Sequence, residues 1–212
     1  MPFTSVKSPL ALFHTDAVQG FCKVPFKAKT LGADLITVSG HKVRGAKGAG
    51  ALYIKKGLPL PPMIRGGGQE SDYRSGTEAL PAIVAFGAAC AACNPAEEIA
   101  HLSALRDLCR KELADVPGLV FLGKGDAPHV VNVALPGLRS QGIINCLQDY
   151  GIYVSAGSAC AKGHRSHVLE AMGAPAAAID GAIRISFGMD NTAEDIPALK
   201  AALLDAISVL KG

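Results

Sequence analysis

An acid and a lysine follow two apolar segments that have the composition of successive strands. Asp16 ends the first segment, and Lys42 lies just beyond the second, residues 35–39. Because functional groups of α/β sheets gather at strand ends, we expect both side chains to reach one crevice. Pyridoxal phosphate requires such a pair: a lysine that forms a Schiff base and an acid that keeps the pyridine nitrogen protonated. Ser39 and His41, with nearby backbone amides, are suitable phosphate donors. A lysine taken alone is more often a solvated surface charge.

A cysteine in the C-terminal part has the surroundings of a nucleophile. Cys160 follows Gly157 and precedes Lys162, His164 and Arg165. We expect a mobile, electropositive loop here, and such surroundings lower the pKa of a thiol. The thiolate can attack sulfur and become a persulfide, which is a reversible modification. The alternative is a small buried side chain, the usual state of a cysteine, but the glycine and the cations argue against burial.

An arginine lies inside a predicted strand, where its charge demands a partner. Arg184 has apolar neighbours on both sides in residues 182–187. It is either an edge-strand or salt-bridged arginine, or a planar fork matched to the carboxylate of a ligand. The residues alone leave both readings open.

The other cysteine and histidine groups favour packing over metal binding. Cys90 and Cys93 form a CxxC, but they lie in an alanine-rich helical pattern with no second pair. Cys160, His164 and His167 have spacings that a metal could use, yet zinc would occupy the thiolate that the chemistry needs. We therefore predict no metal site.

Three apolar segments predict strands in the N-terminal part: residues 11–15, 35–39 and 50–54. A polar, glycine-bearing stretch separates the first two, as in a strand, crossover, strand unit. Apolar residues at spacings of three and four predict a helix over residues 80–93. Residues 66–68 are three glycines without a following helix N-terminus, so we expect a turn near the site and not a phosphate cradle.

The C-terminal part has the pattern of a small α+β domain. Asn94 as N-cap and Pro95 at the first helical position predict a helix to about residue 114. Thr192 and Asp195 suit the capping box of a last helix. The other predicted elements are strands at residues 119–122, 130–135, 152–154 and 182–187, and helices at residues 140–150, 166–172 and 192–210.

Composition excludes several classes of protein. The 212 residues are 49% hydrophobic and 18% charged with a net charge of +3, which predicts an ordinary globular chain. Lysine and arginine are scattered, so no nucleic-acid partner is expected. The apolar stretch at residues 80–93 is shorter than the roughly twenty residues that span a bilayer. Residues 1–7 do not have the pattern of a secretory signal, so none is expected. The irregular spacing of the cysteines does not predict a disulfide framework. We expect a cytosolic protein without a membrane partner.

Six motifs, taken together, resemble the pyridoxal-phosphate-dependent cysteine desulfurases of the class V aminotransferase family. The motifs are HTDAVQG (residues 14–20), SGHK (39–42), GAKGAGALYI (45–54), GGGQE (66–70), RSGTE (74–78) and SAGSAC (155–160). They occur in the order of the family and extend over most of the chain. The resemblance implies an α/β protein of pyridoxal phosphate fold type I. Residues 1–93 would be part of the large cofactor domain with a mainly parallel sheet. Residues 94–212 would be the small α+β domain, with residues 94–115 as the connecting helix.

The resemblance also implies roles for individual residues. Asp16 would pair with the pyridine nitrogen of the cofactor and Gln19 with its ring hydroxyl. Lys42 would bind the cofactor covalently. Ser39 and His41 would bind its phosphate, and Thr77 would reach the phosphate of the cofactor in the partner subunit, which implies a homodimer.

The implied activity is removal of sulfur from L-cysteine. Arg184 would hold the α-carboxylate of the substrate, Lys42 would move a proton from Cα, and Cys160 would take the sulfur as a persulfide. Alanine would leave, and an acceptor such as an iron–sulfur scaffold or a thiolation protein would receive the sulfur. A related selenocysteine lyase or aminotransferase is the alternative chemistry.

The resemblance covers the C-terminal portion of the family enzyme. The family's small-residue phosphate loop, ring-stacking histidine and hydroxyl-binding asparagine precede the aspartate, and none of them is found in residues 1–15. The missing strands would leave an apolar sheet surface and an unpaired edge. A truncated, non-catalytic fragment, or a fragment that works with another chain, is therefore the competing hypothesis.

Overall fold

The computed structural model describes residues 11–123, 127–157 and 165–212. The chain divides into two compact units, Met1–Pro95 and Ala96–Gly212. Each unit combines helices with one three-stranded sheet, so the chain has the α/β composition that the sequence predicts.

The sheet of the N-terminal unit has the order β1 (His14–Asp16), β2 (Leu35–Ser39) and β3 (Gly50–Ile54). β1 and β2 are parallel, whereas β2 and β3 are antiparallel. The sheet is therefore mixed and not mainly parallel over the described strands. The reason is the length of the links: a parallel pair needs a crossover of a dozen or more residues, and only residues 40–49 join β2 to β3.

The helices of this unit are α1 (Ala28–Leu31) and α2 (Leu80–Ala92), and a 3₁₀ turn, Gly40–Val43, follows β2 directly. α2 packs against the 3₁₀ turn. A Cβ on Gly40 would lie 2.9 Å from Cγ of Phe86 on α2, so a glycine is required for this approach. The sequence predicted α2 to within one residue but neither α1 nor the 3₁₀ turn, which are too short to show a helical period.

A buried carboxylate connects all three strands of the N-terminal sheet. Asp34, immediately before β2, is only 3% exposed. Its Oδ2 accepts the backbone N–H of Phe13 at 2.9 Å, and its Oδ1 accepts a hydrogen bond from Nζ of Lys55 at 3.3 Å. Phe13 precedes β1 and Lys55 follows β3. One side chain therefore holds the strands in register.

The C-terminal unit is built on β4 (Val120–Leu122), β5 (Val130–Ala134) and β6 (Ala182–Ser186), which are antiparallel with β5 in the centre. The long helices α3 (Pro95–Glu112), α4 (Ser140–Asp149) and α7 (Asp195–Lys211) contribute to one core with this sheet. The shorter helices are α5 (His167–Ala171) and α6 (Ala176–Asp180). The core side chains with no exposure are Cys109, Leu113, Val133, Ala134, Ile143, Leu147, Leu203 and Ala206.

The predicted strand at residues 152–154 is wrong. These residues form no strand, and only an isolated bridge between Ser155 and Arg184 follows them. β-branched and aromatic residues in a short run favour a strand, but a turn at Gly151 and the single bridge leave no room for a ladder. The capping box before α7 is seen in part, since Oδ2 of Asp195 accepts the backbone N–H of Thr192 at 3.1 Å.

No single helix in the described residues is long and apolar enough to cross a membrane. One bent pair, α2 with α3, meets that criterion only when the two helices are taken together, by length and composition alone.

Replacing the buried carboxylate should destabilise the N-terminal unit. We expect Asp34→Ala to lower the free energy of unfolding by about 1–3 kcal/mol, because it leaves the part-buried backbone N–H of Phe13 unpaired. The matched control is Lys55→Ala, which removes only the half-exposed ion pair and should cost less than about 1 kcal/mol. Urea denaturation followed by circular dichroism measures both. Equal losses in the two variants would contradict this assignment.

A steric constraint in the C-terminal unit gives a second test. A Cβ on Gly181, the residue before β6, would clash with the carbonyl oxygens of Leu135 and Leu138. We expect Gly181→Ala to cost about 1–3 kcal/mol in unfolding free energy through overpacking. Gly87→Ala in α2 is the control, since no heavy atom lies within 4 Å of the added Cβ. That variant should gain about 0.5–1 kcal/mol. A Gly181→Ala variant with unchanged stability would show that this backbone can move apart without cost.

Candidate functional site

The parallel pairing of β1 and β2 brings the predicted acid and lysine segments to one edge of the sheet. Asp16, the last residue of β1, is paired in register with Thr37, and Ser39 ends β2 two residues further on. Neighbouring strands are about 4.8 Å apart. The carboxylate of Asp16 is exposed, and its Oδ1 accepts the backbone N–H of Val18 at 2.9 Å. Its other oxygen has no hydrogen-bond partner among the described residues and is available to a ligand.

The lysine lies in the 3₁₀ turn that follows β2. Two backbone hydrogen bonds fix this turn: Gly40 N donates to Ala49 O, and Gly45 N donates to Gly40 O, both at 2.9 Å. The side chain of Val43 is 5% exposed and anchors the end of the turn. Lys42 itself is half-buried, and within the described part of the chain its Nζ makes no hydrogen bond or ion pair. An amine held in this way is available for reaction.

Ser39 and His41 are joined to each other. The Ser39 hydroxyl and Nδ1 of His41 lie 2.7 Å apart. Both residues line an open cavity of about 490 Å³ at the end of β2. Such a volume is in the range of small-molecule sites. The other lining residues are Val18, Thr37, Val38, Lys47, Gly48, Ala49 and Gly50.

Gln19 and Thr77 are placed less closely by the structure. Gln19 is exposed in the turn that follows β1, where Gly20 N donates to Ala17 O at 3.0 Å. Thr77 is exposed in the loop before α2, and no hydrogen bond joins it to another residue that the structure describes. The ends of β1 and β2 therefore bring Asp16 to the same sheet edge as the segment that carries Lys42. Gln19 lies in the turn after β1, and Thr77 has no partner among the described residues of this edge.

The three-glycine segment belongs to a loop: residues 66 and 67 are bends, and a turn begins at residue 69. Oε1 of Gln69 accepts the backbone N–H of Gly76 at 3.0 Å, so the two ends of the loop are tied together. Glu70, Ser71 and Asp72 follow with φ of 52°, 56° and 68°. Three successive side-chain-bearing residues in the left-handed region cost energy, and strain of this kind is common at functional sites.

Arg184 is held in the sheet of the C-terminal unit. It is paired with Asn132 of β5, and on its other side Arg184 N donates to Ser155 O at 2.6 Å. Its Nε is buried and has no hydrogen-bond partner among the described residues. A buried donor without a partner costs about 1–3 kcal/mol, so this atom is a candidate for binding a ligand. β6 is at the edge of the three-stranded sheet, so the edge-strand alternative from the sequence is confirmed. No internal salt bridge of Arg184 is seen in the part of the chain that the structure describes, and carboxylate binding stays a prediction.

Cys160, Lys162 and His164 lie outside the described residues. Arg165 is described, and its Nε and Nη2 donate to the two carboxylate oxygens of Asp180, both at 2.7 Å. The hydrogen bonds from Arg165, and then its charge, lower the pKa of the Asp180 carboxyl. The charge of Arg165 is therefore engaged by an acid on α6, and it supports the predicted electropositive loop less than the sequence suggests.

Several residues of the edge were not assigned from the sequence. Thr37 faces Asp16 in register, lines the cavity, and its hydroxyl lies 2.7 Å from Nε2 of His14. The alternation of a strand could have found it, since Thr37 and Ser39 are two residues apart and share a face. Gly50 also lines the cavity, and a Cβ there would lie 2.6 Å from the carbonyl oxygen of Val38. Its role is close packing of two strands.

In the described residues, no group of three or more histidine, cysteine, aspartate or glutamate side chains is arranged to hold a metal ion.

The chain was compared with known protein families and with proteins of known name. The model of the aminotransferase class-V family matches residues 4–199. A cysteine desulfurase from Gluconacetobacter diazotrophicus is 39% identical over 209 residues, which cover 95% of this chain and 52% of that protein.

Solved structures are similar as well. A NifS-like protein from Rickettsia africae superposes with a TM-score of 0.82 at 34% identity, covering 93% of this chain and 54% of that one. A structure described as SspA in complex with cysteine has a TM-score of 0.63 at 31% identity, covering 83% of this chain and 50% of that one.

The chain spans about half the length of the curated relatives it matches. Within this chain, however, the family match extends from before β1 into α7 and includes every described residue of the edge. The NifS-like structure has the pyridoxal phosphate type I fold that the motifs implied. By the extent of this match, the chain belongs to the aminotransferase class-V family.

Proposed function

We propose that this chain is the part of a pyridoxal-phosphate-dependent cysteine desulfurase that carries the cofactor-binding lysine and the sulfur-accepting cysteine. The observation that carries the proposal is the shared edge of β1 and β2, where Asp16 and the SGHK segment meet. The curated relatives of similar sequence are described as cysteine desulfurases. Because the chain spans about half of their length, the reaction is proposed for the whole protein.

The residues at this edge fit pyridoxal phosphate. The cofactor needs a carboxylate for its ring nitrogen, an amine for its aldehyde, and donors for its phosphate. Asp16 has an exposed carboxylate, and Lys42 has an amine without a described partner. The cavity of about 490 Å³ is lined by the Ser39 hydroxyl, His41 and the cationic Lys47. The presence of these three kinds of group at the ends of β1 and β2 supports a cofactor site there.

The residues of the edge would then have separate tasks. When bound, the cofactor supplies an electron sink for the substrate carbons. The carboxylate of Asp16 would hold a proton on the ring nitrogen, and Gln19 would bind the ring hydroxyl. Nζ of Lys42 would take a proton from Cα of the substrate and return one later. The hydrogen bond between Ser39 and His41 would orient both side chains toward the phosphate.

We assign the substrate carboxylate to Arg184. Its guanidinium has the planar fork that matches a carboxylate, and its buried Nε has no described partner to compete. The neighbour described as SspA in complex with cysteine supports cysteine as the amino acid. The β5 and Ser155 backbones on both sides of Arg184 would fix the direction of the fork.

Cys160 would receive the sulfur. Its thiolate attacks the substrate sulfur, a new S–S bond forms, the C–S bond breaks, and the carbon keeps the electron pair and takes a proton. One cysteine and one enzyme thiol therefore give alanine and one persulfide, and no external oxidant is needed. An acceptor protein, such as an iron–sulfur scaffold or a thiolation protein, would take the persulfide sulfur.

The domain roles follow from the same proposal. Residues 1–93 would belong to the cofactor domain and residues 94–212 to the small domain, with residues 94–115 as the connecting helix. Thr77 would act on the cofactor phosphate of a second subunit, so the working form would be a homodimer. A non-catalytic fragment is the competing reading. It is favoured by the sparse core of the N-terminal unit, in which only Ala33, Ile36 and Val43 are described as buried apolar side chains.

Labelling of the lysine tests the cofactor site. The protein mixed with pyridoxal phosphate and treated with borohydride should carry a stable pyridoxyl group on the tryptic peptide of residues 30–44. Lys42→Ala should remove the label and the visible absorbance band, whereas the exposed Lys56→Ala should keep both. The reason is that Lys42 follows the proposed phosphate donors Ser39 and His41 in the 3₁₀ turn after β2, whereas Lys56 lies beyond the end of β3. Label on another lysine would contradict the assignment, and no band from the folded chain would support the fragment reading.

Removal of the thiol tests the sulfur acceptor. In the protein that binds the cofactor, Cys160→Ala should leave the absorbance band intact and lower sulfide and alanine production from cysteine by more than about 10³-fold. Cys146→Ala on α4 is the control and should keep full turnover. Full turnover in Cys160→Ala would show that the nucleophile is wrong, and a keto acid product would favour the aminotransferase alternative.

A further inference from the structure

Two half-buried cysteines lie on segments that pack together in the N-terminal unit. Cys22 is in the turn that follows β1, residues 17–24, which we call the β1 turn. Cys90 is near the end of α2. Neither is part of a disulfide in the structure, and both are partly accessible.

An aromatic contact holds the β1 turn against α2. The rings of Phe21 and Phe86 meet edge to face, with centroids 6.3 Å apart. Cys22 is the next residue after Phe21, and Cys90 is one helical turn after Phe86, on the same side of α2. Phe21, Phe86 and Cys90 line one cavity of about 610 Å³. The contact therefore brings together the two segments that carry Cys22 and Cys90.

The β1 turn is itself well fixed. Phe21 N donates to Ala17 O, and Val24 N donates to Gly20 O, both at 2.8 Å. Cys22 has φ of 61°, in the left-handed region that residues with a side chain rarely adopt. These hydrogen bonds fix the backbone of the turn on both sides of Cys22.

The electrostatics agree with this placement. Burial, and then the charge of Cys22, raise the pKa of the Cys90 thiol. Cys93 is three residues away in sequence but does not contribute to this shift. Cys22 is therefore near enough to Cys90 for its charge to affect the pKa of the Cys90 thiol.

We propose that Cys22 and Cys90 form a redox modification site: a dithiol that a small disulfide, such as oxidised glutathione, converts into an intramolecular disulfide. One thiolate attacks the small disulfide, forms a mixed disulfide and releases one thiolate of the reagent. The second cysteine, as its thiolate, then displaces the other half. Two protein thiols are oxidised by two electrons, and one oxidised glutathione becomes two reduced molecules.

The bond would fasten the β1 turn to α2. Gln19 lies in this turn and Asp16 immediately precedes it, so the tether would restrict the segment that borders the candidate site. The disulfide would close a loop of more than 60 residues, which strongly restricts the unfolded chain. The inference does not rest on the proposed function, because it uses only the thiols and their packing.

Peptide mapping of the full chain tests the proposal. The protein is oxidised with glutathione disulfide, blocked with N-ethylmaleimide and digested with trypsin without reductant. Cleavage separates residues 8–23, which contain Cys22, from residues 75–106, which contain Cys90 and Cys93. The expected major product is these two peptides joined, with a mass about two hydrogens below their sum. Reductant should separate them.

Single variants identify the bond. Cys22→Ser and Cys90→Ser should each abolish the joined pair, whereas Cys93→Ser should keep it. Oxidation should raise the melting temperature of the wild-type chain by about 5 °C and leave that of Cys22→Ser unchanged. The buried Cys109 thiol, whose pKa burial raises to about 11, is not expected to compete.

Four results would overturn the proposal. They are a disulfide inside residues 75–106, a link from either cysteine to another peptide, a stable glutathione adduct on either cysteine without the link, and an unlinked wild-type chain. Each of them is read from the wild-type map, so the test does not depend on the folding of a variant.

Discussion

The candidate site depends on the parallel pairing of β1 with β2. Because the two strands run in one direction, their carboxyl ends share an edge, and Asp16 faces Thr37 while Lys42 follows three residues after β2. A one-residue slip would turn every side chain of a strand to the other face. The buried carboxylate of Asp34 opposes such a slip, since it binds backbone or side chain on both neighbours of β2. The interactions that set the register of β1 and β2 therefore also set the positions of the candidate site residues.

The two units are stabilised in different ways. The C-terminal unit has a continuous apolar core, and each fully buried leucine or isoleucine in it contributes about 1.5–3 kcal/mol. The N-terminal unit buries few apolar side chains and relies on Asp34 and on glycines at close approaches. Leu52 and Tyr53 on β3 and Val84 on α2 remain 48%, 41% and 67% exposed. Leu52 and Tyr53 are consecutive in β3 and point to opposite faces of the sheet, so apolar surface is exposed on both sides of this strand.

The sequence predicted features that extend over several residues better than it predicted the roles of single residues. β2 and β3 were predicted with their observed bounds, because each is an apolar run between glycines and polar residues. The order of the motifs predicted the family, which the comparisons confirm. Thr37 was missed because a threonine inside a strand has an ordinary structural role as well. The pairing of Arg165 with Asp180 was also missed, since the two residues meet only through the fold.

Strained backbone conformations are confined to the N-terminal unit among the described residues that carry a side chain. Among the described residues, the side-chain-bearing positions with positive φ are Cys22, Arg44, Glu70, Ser71 and Asp72. All lie in the N-terminal unit, and each is in a segment next to a motif of the candidate site. Such conformations cost about 1–3 kcal/mol each and persist only where surrounding contacts enforce them. Because the core of this unit is sparse, specific contacts such as the hydrogen bonds of Asp34 and the packing of Gly40 against Phe86 must offset this cost.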